Sequence, residues 1–284
     1  MQPKESFLSI IQEHLNSDEA MLPIFDTPVG QIQKEIAKEG PDLGVIERLV
    51  ARDPALTGHV LRAANSAFYE GLTKVSSIHN AVIRLGTGEL LLLLLQHDDV
   101  GFIDSFCGSL MEKLWRHSMG CALGSHWLAK QCGFDALAHE AYIAGLLHDI
   151  GKLLLITVVE SITRSGKKKL RPSNELLYEV IENFHSEHGH SLLKNWNLPE
   201  SFCKIAREHH FEDVDPNDTL LIIVRLANKA CNKLGIGLSK DPSIILAATP
   251  EASLLGLSEV FLAKMEITLE DTSISPSAVD IPVL

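Results

Sequence analysis

The residues of this chain that are best suited to chemistry are its histidines, of which there are 13. Several of them, at positions 14, 59, 79, 97, 126 and 139, lie singly in segments of helical character, where surface or capping roles explain them. His148 differs, because it precedes Asp149 inside a nearly continuous apolar stretch at positions 137–159. A carboxylate beside an imidazole in apolar surroundings costs free energy unless it is paired or bound to a metal ion. The pair therefore predicts a buried site that contains a partner for the carboxylate.

Helices must position this pair, because apolar residues recur at spacings of three and four along almost the whole chain. No segment alternates convincingly at a period of two, so we expect an all-α fold, a multi-helix bundle. The stretch 137–159 is apolar all round, which predicts one long central helix that carries His148 and Asp149. Helix starts are expected where an acid can cap free amides and a proline fits the first turn, as at Asp53-Pro54, Asp215-Pro216 and Asp241-Pro242.

The pattern predicts two helical parts and a tail. A polar, acidic patch at 98–104 predicts a boundary between an N-terminal helical subdomain, 1–104, and a second helical subdomain, 105–265. Residues 266–284 are rich in Thr, Ser, Pro and acids and show little periodicity, so we expect a loose tail there.

Composition argues against several classes of protein. A net charge of -12 disfavours nucleic acid as a partner, because nucleic-acid binders gain much of their affinity by neutralising phosphates. The longest pure apolar run, 90–95, is far shorter than the roughly 20 residues of a membrane span. The first residues lack the features of a secretory signal, so we expect a cytoplasmic protein without membrane contact. The 5 cysteines form no Cys-x-x-Cys pair and are expected to be reduced and packed.

Several motifs of the N-terminal half resemble a known family. They are Asp53-Pro54-Ala55-Leu56-Thr57, the run 60–69 with the sequence VLRAANSAFY, and Ser77-Ile78 through Ala81-Val82 to Leu85-Gly86. Trp196-Asn197-Leu198-Pro199 and His209-His210 extend the likeness over most of the chain. Together they closely resemble the HDOD family, helical modules of bacterial regulatory proteins. The resemblance implies an HD-domain-like core, an N-terminal helical HDOD subdomain and a role in signal transduction.

The pentapeptide from His148 to Lys152, HDIGK, resembles the core of the related HD-type metal-dependent phosphohydrolases. That resemblance implies six candidate metal ligands from separate segments: His117, His148, Asp149, His185, His209 and His210. His185 fits its position better than His188, because Gly189 and the Trp196-x-Leu198-Pro199 motif set the frame. The last expected acid falls on Asn228, a departure that removes a negative charge but keeps a carbonyl oxygen.

Imidazoles and a carboxylate suit divalent transition metals such as iron, manganese, zinc or nickel, and a bridging Asp149 would allow a dinuclear site. The competing interpretation is a histidine core held by hydrogen bonds alone. If the site is catalytic, the resemblance implies metal-assisted hydrolysis of a phosphate ester, with Asp149 and Lys152 as catalytic residues and Lys152 neutralising a phosphate oxygen. The branch that hydrolyses cyclic dinucleotides carries a glycine-tyrosine-proline element after its paired histidines, and Phe211-Glu212-Asp213 stands there instead.

Two functions remain open on the sequence. The first is a regulatory module that acts by contact with a partner protein, its metal-binding core stabilising the fold or sensing a small phosphate-containing ligand. The second is a metal-dependent phosphohydrolase that acts on a nucleotide or another phosphate ester. The HDOD-type block, Asn228 and the missing glycine-tyrosine-proline element favour the first, whereas the otherwise intact ligand set with Lys152 favours the second.

Overall fold

The protein, seen in a computed structural model, is described at residues 11, 22, 24, 28–69, 73–95, 108–164 and 173–271. Within these residues the regular elements are all helices, so the predicted fold class is confirmed. In chain order the α-helices are α1 (Pro28–Ile36), α2 (Leu43–Val50), α3 (Pro54–Ala64), α4 (Ile78–Leu95), α5 (Gly108–Gln131), α6 (Ala138–Leu147), α7 (Ile150–Arg164), α8 (Asn174–Asn195), α9 (Glu200–Glu208), α10 (Thr219–Leu234), α11 (Pro250–Leu254) and α12 (Glu259–Asp271).

Acidic caps start some of these helices where the sequence predicts. The Asp53 carboxylate accepts a hydrogen bond from the Leu56 amide at 2.7 Å, and Pro54 opens α3. The predicted starts at Asp215 and Asp241 are wrong, because both carboxylates cap local turns instead. Asp215 accepts from the Asn217 amide and Asp241 from the Ser243 amide. Helix α10 begins at Thr219, with Asp218 as its cap.

The predicted long helix over 137–159 is also wrong, because it is broken in the middle. Helix α6 ends at Leu147 and α7 begins at Ile150, with His148 and Asp149 in the turn between them. The Gly145 carbonyl, one of those that lose their intrahelical partner at a helix end, accepts a hydrogen bond from the His148 ring at 2.7 Å.

One continuous hydrophobic core joins the N-terminal helices to the rest of the described chain. The Tyr142 hydroxyl donates to the Ala51 carbonyl at 3.0 Å, and the Trp115 indole donates to the Arg52 carbonyl at 2.9 Å. A Cβ atom on Gly58 would lie 2.4 Å from the Trp196 ring, so α3 packs directly against the end of α8. The two predicted subdomains therefore share one core.

The structure tests one of the two predicted boundaries, the start of the C-terminal tail. The expected boundary at 98–104 lies outside the described residues. Helix α12 continues to Asp271 and buries Met265 and Leu269 in the core, so the predicted tail does not begin at 266. Residues 272–284 lie outside the described part.

Among the residues that the structure describes, two stretches have the length and hydropathy of a membrane span, 78–95 and 135–163. The second is entirely buried among the other helices, as is usual for the core helices of water-soluble proteins, and the turn at His148 and Asp149 interrupts it. The first contains a kink at Gly86, whose φ of 72° is outside the helical range, and is 39% buried.

Candidate metal centre

The Asp149 carboxylate lies at the centre of a ring of histidines that come from different parts of the chain. His117 belongs to α5, His148 precedes Asp149 in the turn, His185 lies on α8 and His209 ends α9. Asp149 Oδ1 lies 3.3 Å from Nε2 of both His185 and His209. Asp149 Oδ2 lies 3.4 Å from His117 Nε2 and 3.5 Å from His148 Nε2. All five side chains are buried.

Glycines allow the helices to approach closely enough to form this ring. A Cβ atom on Gly151 of α7 would lie 1.9 Å from the His185 carbonyl oxygen of α8. A Cβ atom on Gly145 of α6 would lie 2.6 Å from the Cys121 carbonyl oxygen of α5. Since no side chain fits at these crossings, Gly151 and Gly145 bring α8 and α5 against the turn that carries Asp149.

Backbone carbonyls fix the orientation of each of the four rings. The Nδ1 atoms of His117 and His148 donate to the carbonyls of Ile236 and Gly145, at 2.9 and 2.7 Å. His185 Nδ1 lies 2.9 Å from a carbonyl one turn earlier in α8, and His209 Nδ1 lies 3.0 Å from one in α9. Because a carbonyl can only accept, the proton of each neutral ring is on Nδ1 and Nε2 carries a lone pair. Metal-binding histidines commonly have this arrangement.

The loop that follows α10 supplies one of these carbonyls. Gly235 ends α10 with a φ of 75°, and Gly237, with a φ of 132°, passes directly over His117. A Cβ atom on Gly237 would lie 2.8 Å from the His117 Cβ. This close approach places the Ile236 carbonyl against His117 Nδ1.

The four Nε2 lone pairs face an anion, which is unfavourable without a cation between them. Neither Asp149 oxygen nor His148 Nε2 has a hydrogen-bond partner of acceptable geometry, although all three atoms are buried. Two ligand atoms about 2.1 Å from one tetrahedral metal ion would lie about 3.4 Å apart, close to the observed separations. These residues therefore fit a metal ion in donor type, orientation and spacing.

The charge states of the site also suit a cation. Burial lowers the pKa of His117, His148 and His185, which keeps these imidazoles neutral. Burial acts to raise the pKa of Asp149, but the Lys152 ammonium, followed by the His148 ring, outweighs it and holds this pKa well below its usual range. An ionised carboxylate among neutral imidazoles is a suitable ligand set for a divalent ion.

The potential ligand atoms form two clusters, of which the first includes Asp149. In the first, one atom each from Asp149, His185, His209 and the exposed His210 lie within 4.8 Å of one another. In the second, atoms from His117, Cys121 and His148 meet the same limit. The structure thus brings together all six ligand candidates predicted from the sequence.

Cys121 is the member of this set that the sequence reading missed. Its Sγ lies 3.6 Å from His117 Nε2, and burial together with a hydrogen bond to the Cys231 thiol raises its pKa. The one available signal was its position four residues after His117, which places both side chains on one face of α5.

Three further residues clarify the sequence predictions. His188 is in neither cluster and packs near the Phe184 ring. The Asn228 side-chain oxygen accepts a hydrogen bond from Asn232 at 3.1 Å. The Lys152 ammonium is buried between two carboxylates, 3.1 Å from Asp149 and 3.4 Å from Glu182, instead of being free for a substrate.

A small cavity reaches Asp149 from the side of α3 and α5. Its volume is about 10 Å³, roughly the room that one water molecule needs. The lining residues are mostly apolar and include Met111, Leu114, Trp115, Ile150 and Leu153, together with Asp53 at the start of α3.

A sequence profile of the HDOD domain matches residues 22–211, which is more than half of the chain. The chain belongs to the HDOD family. A relative from Treponema pallidum, described only as uncharacterized, is 28% identical over 193 residues. The match covers 66% of this HDOD protein and 37% of the relative, so the chain corresponds to little more than a third of that protein.

Solved structures share the fold of this HDOD protein. The MmoQ response regulator of Methylococcus capsulatus matches with a TM-score of 0.64 and 23% identity, over 86% of this chain and 97% of that one. A virulence factor of Campylobacter jejuni matches with a TM-score of 0.57 and 16% identity, over 97% of this chain and 98% of that one. At these identities the likeness establishes the helical architecture.

Proposed function

We propose that this HDOD protein is a bacterial signal-transduction protein whose core holds a divalent transition metal and whose output is contact with a partner protein. The observation that carries the proposal is the arrangement around Asp149, where four Nδ1-protonated imidazoles direct their Nε2 lone pairs at one ionised carboxylate. A cation would satisfy these atoms together, and the ligands of one or two ions would be His117, His148, Asp149, His185, His209 and His210.

The ligands join elements that are far apart in the sequence. A bound ion would connect α5, the turn between α6 and α7, α8 and the end of α9, and it would supply Lewis acidity at the same point. Because binding to the folded state alone stabilises that state, the ion would strengthen the contacts among these helices. This arrangement supports a structural or sensing role for the metal.

Two features favour a regulatory role over turnover. The Lys152 ammonium is engaged by two carboxylates instead of being free for a substrate. In addition, α4 exposes more than half of the Ile83, Leu92 and Leu95 side chains, and apolar side chains of this kind are commonly buried by protein partners.

The test of metal binding is elemental analysis of protein purified without chelator. We expect at least one equivalent of a transition metal in the wild type, and its loss in His148→Ala and Asp149→Ala. His139→Ala is the matched control, because His139 lies on α6 but belongs to neither cluster, and it should keep the metal. A wild-type protein that is free of metal and fails to take up added zinc, iron or manganese would refute the proposal.

A phosphohydrolase is the alternative, and one observation favours it. The two Asp149 oxygens face different pairs of histidines, as expected of a carboxylate that bridges two ions. A screen of phosphodiesters and nucleotides with the metal-loaded protein separates the two functions. Turnover that Asp149→Ala abolishes would establish the enzyme, whereas a fully loaded protein without turnover supports the regulatory role.

A further inference from the structure

The two clusters around Asp149 differ in the chemistry of their donor atoms. The cluster of His185, His209 and His210 offers only imidazole nitrogens beside the carboxylate, whereas His117 and His148 share theirs with the Cys121 thiol. Thiolate ligands favour zinc and other thiophilic ions, while nitrogen and oxygen ligands also suit manganese and iron. The two positions are therefore chemically inequivalent.

Cys121 is placed to act as a ligand by the same elements that place His117. The two residues are one turn apart on α5, and Sγ lies 3.6 Å from His117 Nε2. His148 Nε2, which has no hydrogen-bond partner and belongs to a side chain with no exposed surface, completes the group. The sulfur and the two nitrogens thus lie within 4.8 Å of one another, and Asp149 Oδ2 lies 3.4 and 3.5 Å from the two Nε2 atoms.

Charge gives a reason for a thiol at this point. A thiolate at Cys121, together with the Asp149 carboxylate, would balance the two charges of a divalent ion within the buried interior. The Cys231 thiol, which belongs to α10, contacts the Cys121 thiol, so a second sulfur atom lies beside this group.

We propose that Cys121 is a metal ligand and that His117, Cys121, His148 and Asp149 form a closed four-ligand site for a thiophilic divalent ion such as zinc. On binding, Sγ forms a bond to the ion and the thiol proton is released to solvent. A site with four protein ligands leaves no position for substrate, as in structural zinc sites. This inference rests on the proposed metal binding, and it assigns a structural role to this half of the centre.

The experiment uses the full chain loaded with cobalt(II), under a reducing agent that does not bind metals. We expect a sulfur-to-cobalt charge-transfer band in the near ultraviolet in the wild type and its complete loss in Cys121→Ser. Cys203→Ser is the matched control, because Cys203 is equally buried but its Sγ faces the Leu198 carbonyl, and it should keep the band. Cys231→Ser should also keep it, since Cys231 serves as a neighbour and not as a ligand.

X-ray absorption at the zinc edge of the unmutated protein makes the test independent of how the variants fold. One sulfur scatterer in the first coordination sphere is the expected result. Bound zinc with only nitrogen and oxygen neighbours, or a band that persists in Cys121→Ser, would overturn the assignment of Cys121 while leaving the proposed metal binding intact. A protein that takes up neither cobalt nor zinc would overturn both.

Discussion

At the scale of single residues, Lys152 shows how position decides between two roles. The resemblance to phosphohydrolases implies that this lysine contacts a substrate phosphate, yet its ammonium lies between Asp149 and Glu182 and is almost fully buried. A side chain in this place compensates the charge of Asp149 when no ion is bound. It therefore competes with a metal ion for the same carboxylate.

This competition predicts the effect of Lys152→Met. Two like charges about 4 Å apart at an effective dielectric constant of about 20 repel each other by roughly 4 kcal/mol, so removal of the ammonium should favour a neighbouring cation. We expect zinc to bind about tenfold more tightly or better in competition with a chromophoric chelator, and the metal-free protein to become less stable. Lys204→Met is the control, because Lys204 pairs with Asp218 outside both clusters, and it should leave the affinity unchanged. Weaker zinc binding in Lys152→Met would contradict this prediction and show that the lysine favours metal binding.

Residues of the site were predictable from the sequence to different degrees. His148 and Asp149 stood out because a charged pair in an apolar stretch requires a partner, and the family frame then located His117, His185, His209 and His210. Cys121 did not stand out, because an isolated cysteine on a helix usually packs as a small apolar residue. Its role depends on how α5, α6 and α10 pack, which local spacing does not specify.

At the scale of elements, the prediction from the sequence was wrong where two helices, α6 and α7, meet end to end. Residues 137–159 contain no proline, and their apolar side chains suit a continuous buried helix as well as two joined ones. The break arises from tertiary contacts, since the His148 ring takes the Gly145 carbonyl and Gly151 allows α8 to approach. The helix starts at Asp53 and Ser173 are set by local caps, whereas Asp215 and Asp241 cap turns that lie before the next helix begins.

The crossing of α7 and α8 provides a prediction at this scale. A Cβ atom in Gly151→Ala would lie 1.9 Å from the His185 carbonyl oxygen and 2.7 Å from the Gly189 nitrogen, both backbone atoms, so the two helices would have to separate. We expect a loss of about 3 kcal/mol or more in the free energy of unfolding, measured by urea titration. Metal content should fall as well, because His185 moves away from Asp149.

Gly189→Ala tests the same crossing from the other side. Its Cβ atom would come no closer than 3.2 Å to Gly151, and alanine gains about 1 kcal/mol over glycine in a helix. This variant should therefore stay within about 1 kcal/mol of the wild type and keep its metal. Equal losses of stability in the two variants would mean that the two glycines are equally crowded, which would contradict these distances.

At the scale of the whole molecule, the site and the N-terminal helices belong to one packed body. The same α5 that carries His117 also carries Trp115, whose indole bonds to the Arg52 carbonyl between α2 and α3. Trp196, at the end of the helix that carries His185, packs against Gly58 of α3. Side chains on both helices thus connect the candidate metal centre to the N-terminal helices.

This continuity predicts that metal stabilises the entire chain in one step. Zinc at about 100 times its dissociation constant should add about 2.7 kcal/mol to the free energy of unfolding, which corresponds to a rise in Tm of about 5 to 10 °C for a protein of this size. Tryptophan fluorescence, which reports on Trp115, Trp127 and Trp196, should give the same midpoint as far-ultraviolet circular dichroism, both in the absence and in the presence of zinc. Asp149→Asn keeps the shape of the side chain but removes the shared anionic ligand, so its Tm should not respond to zinc. Two separate transitions, of which only one shifts with zinc, would instead show that the N-terminal helices fold independently of the candidate metal centre. In that case packing alone would not transmit metal binding to the N-terminal helices.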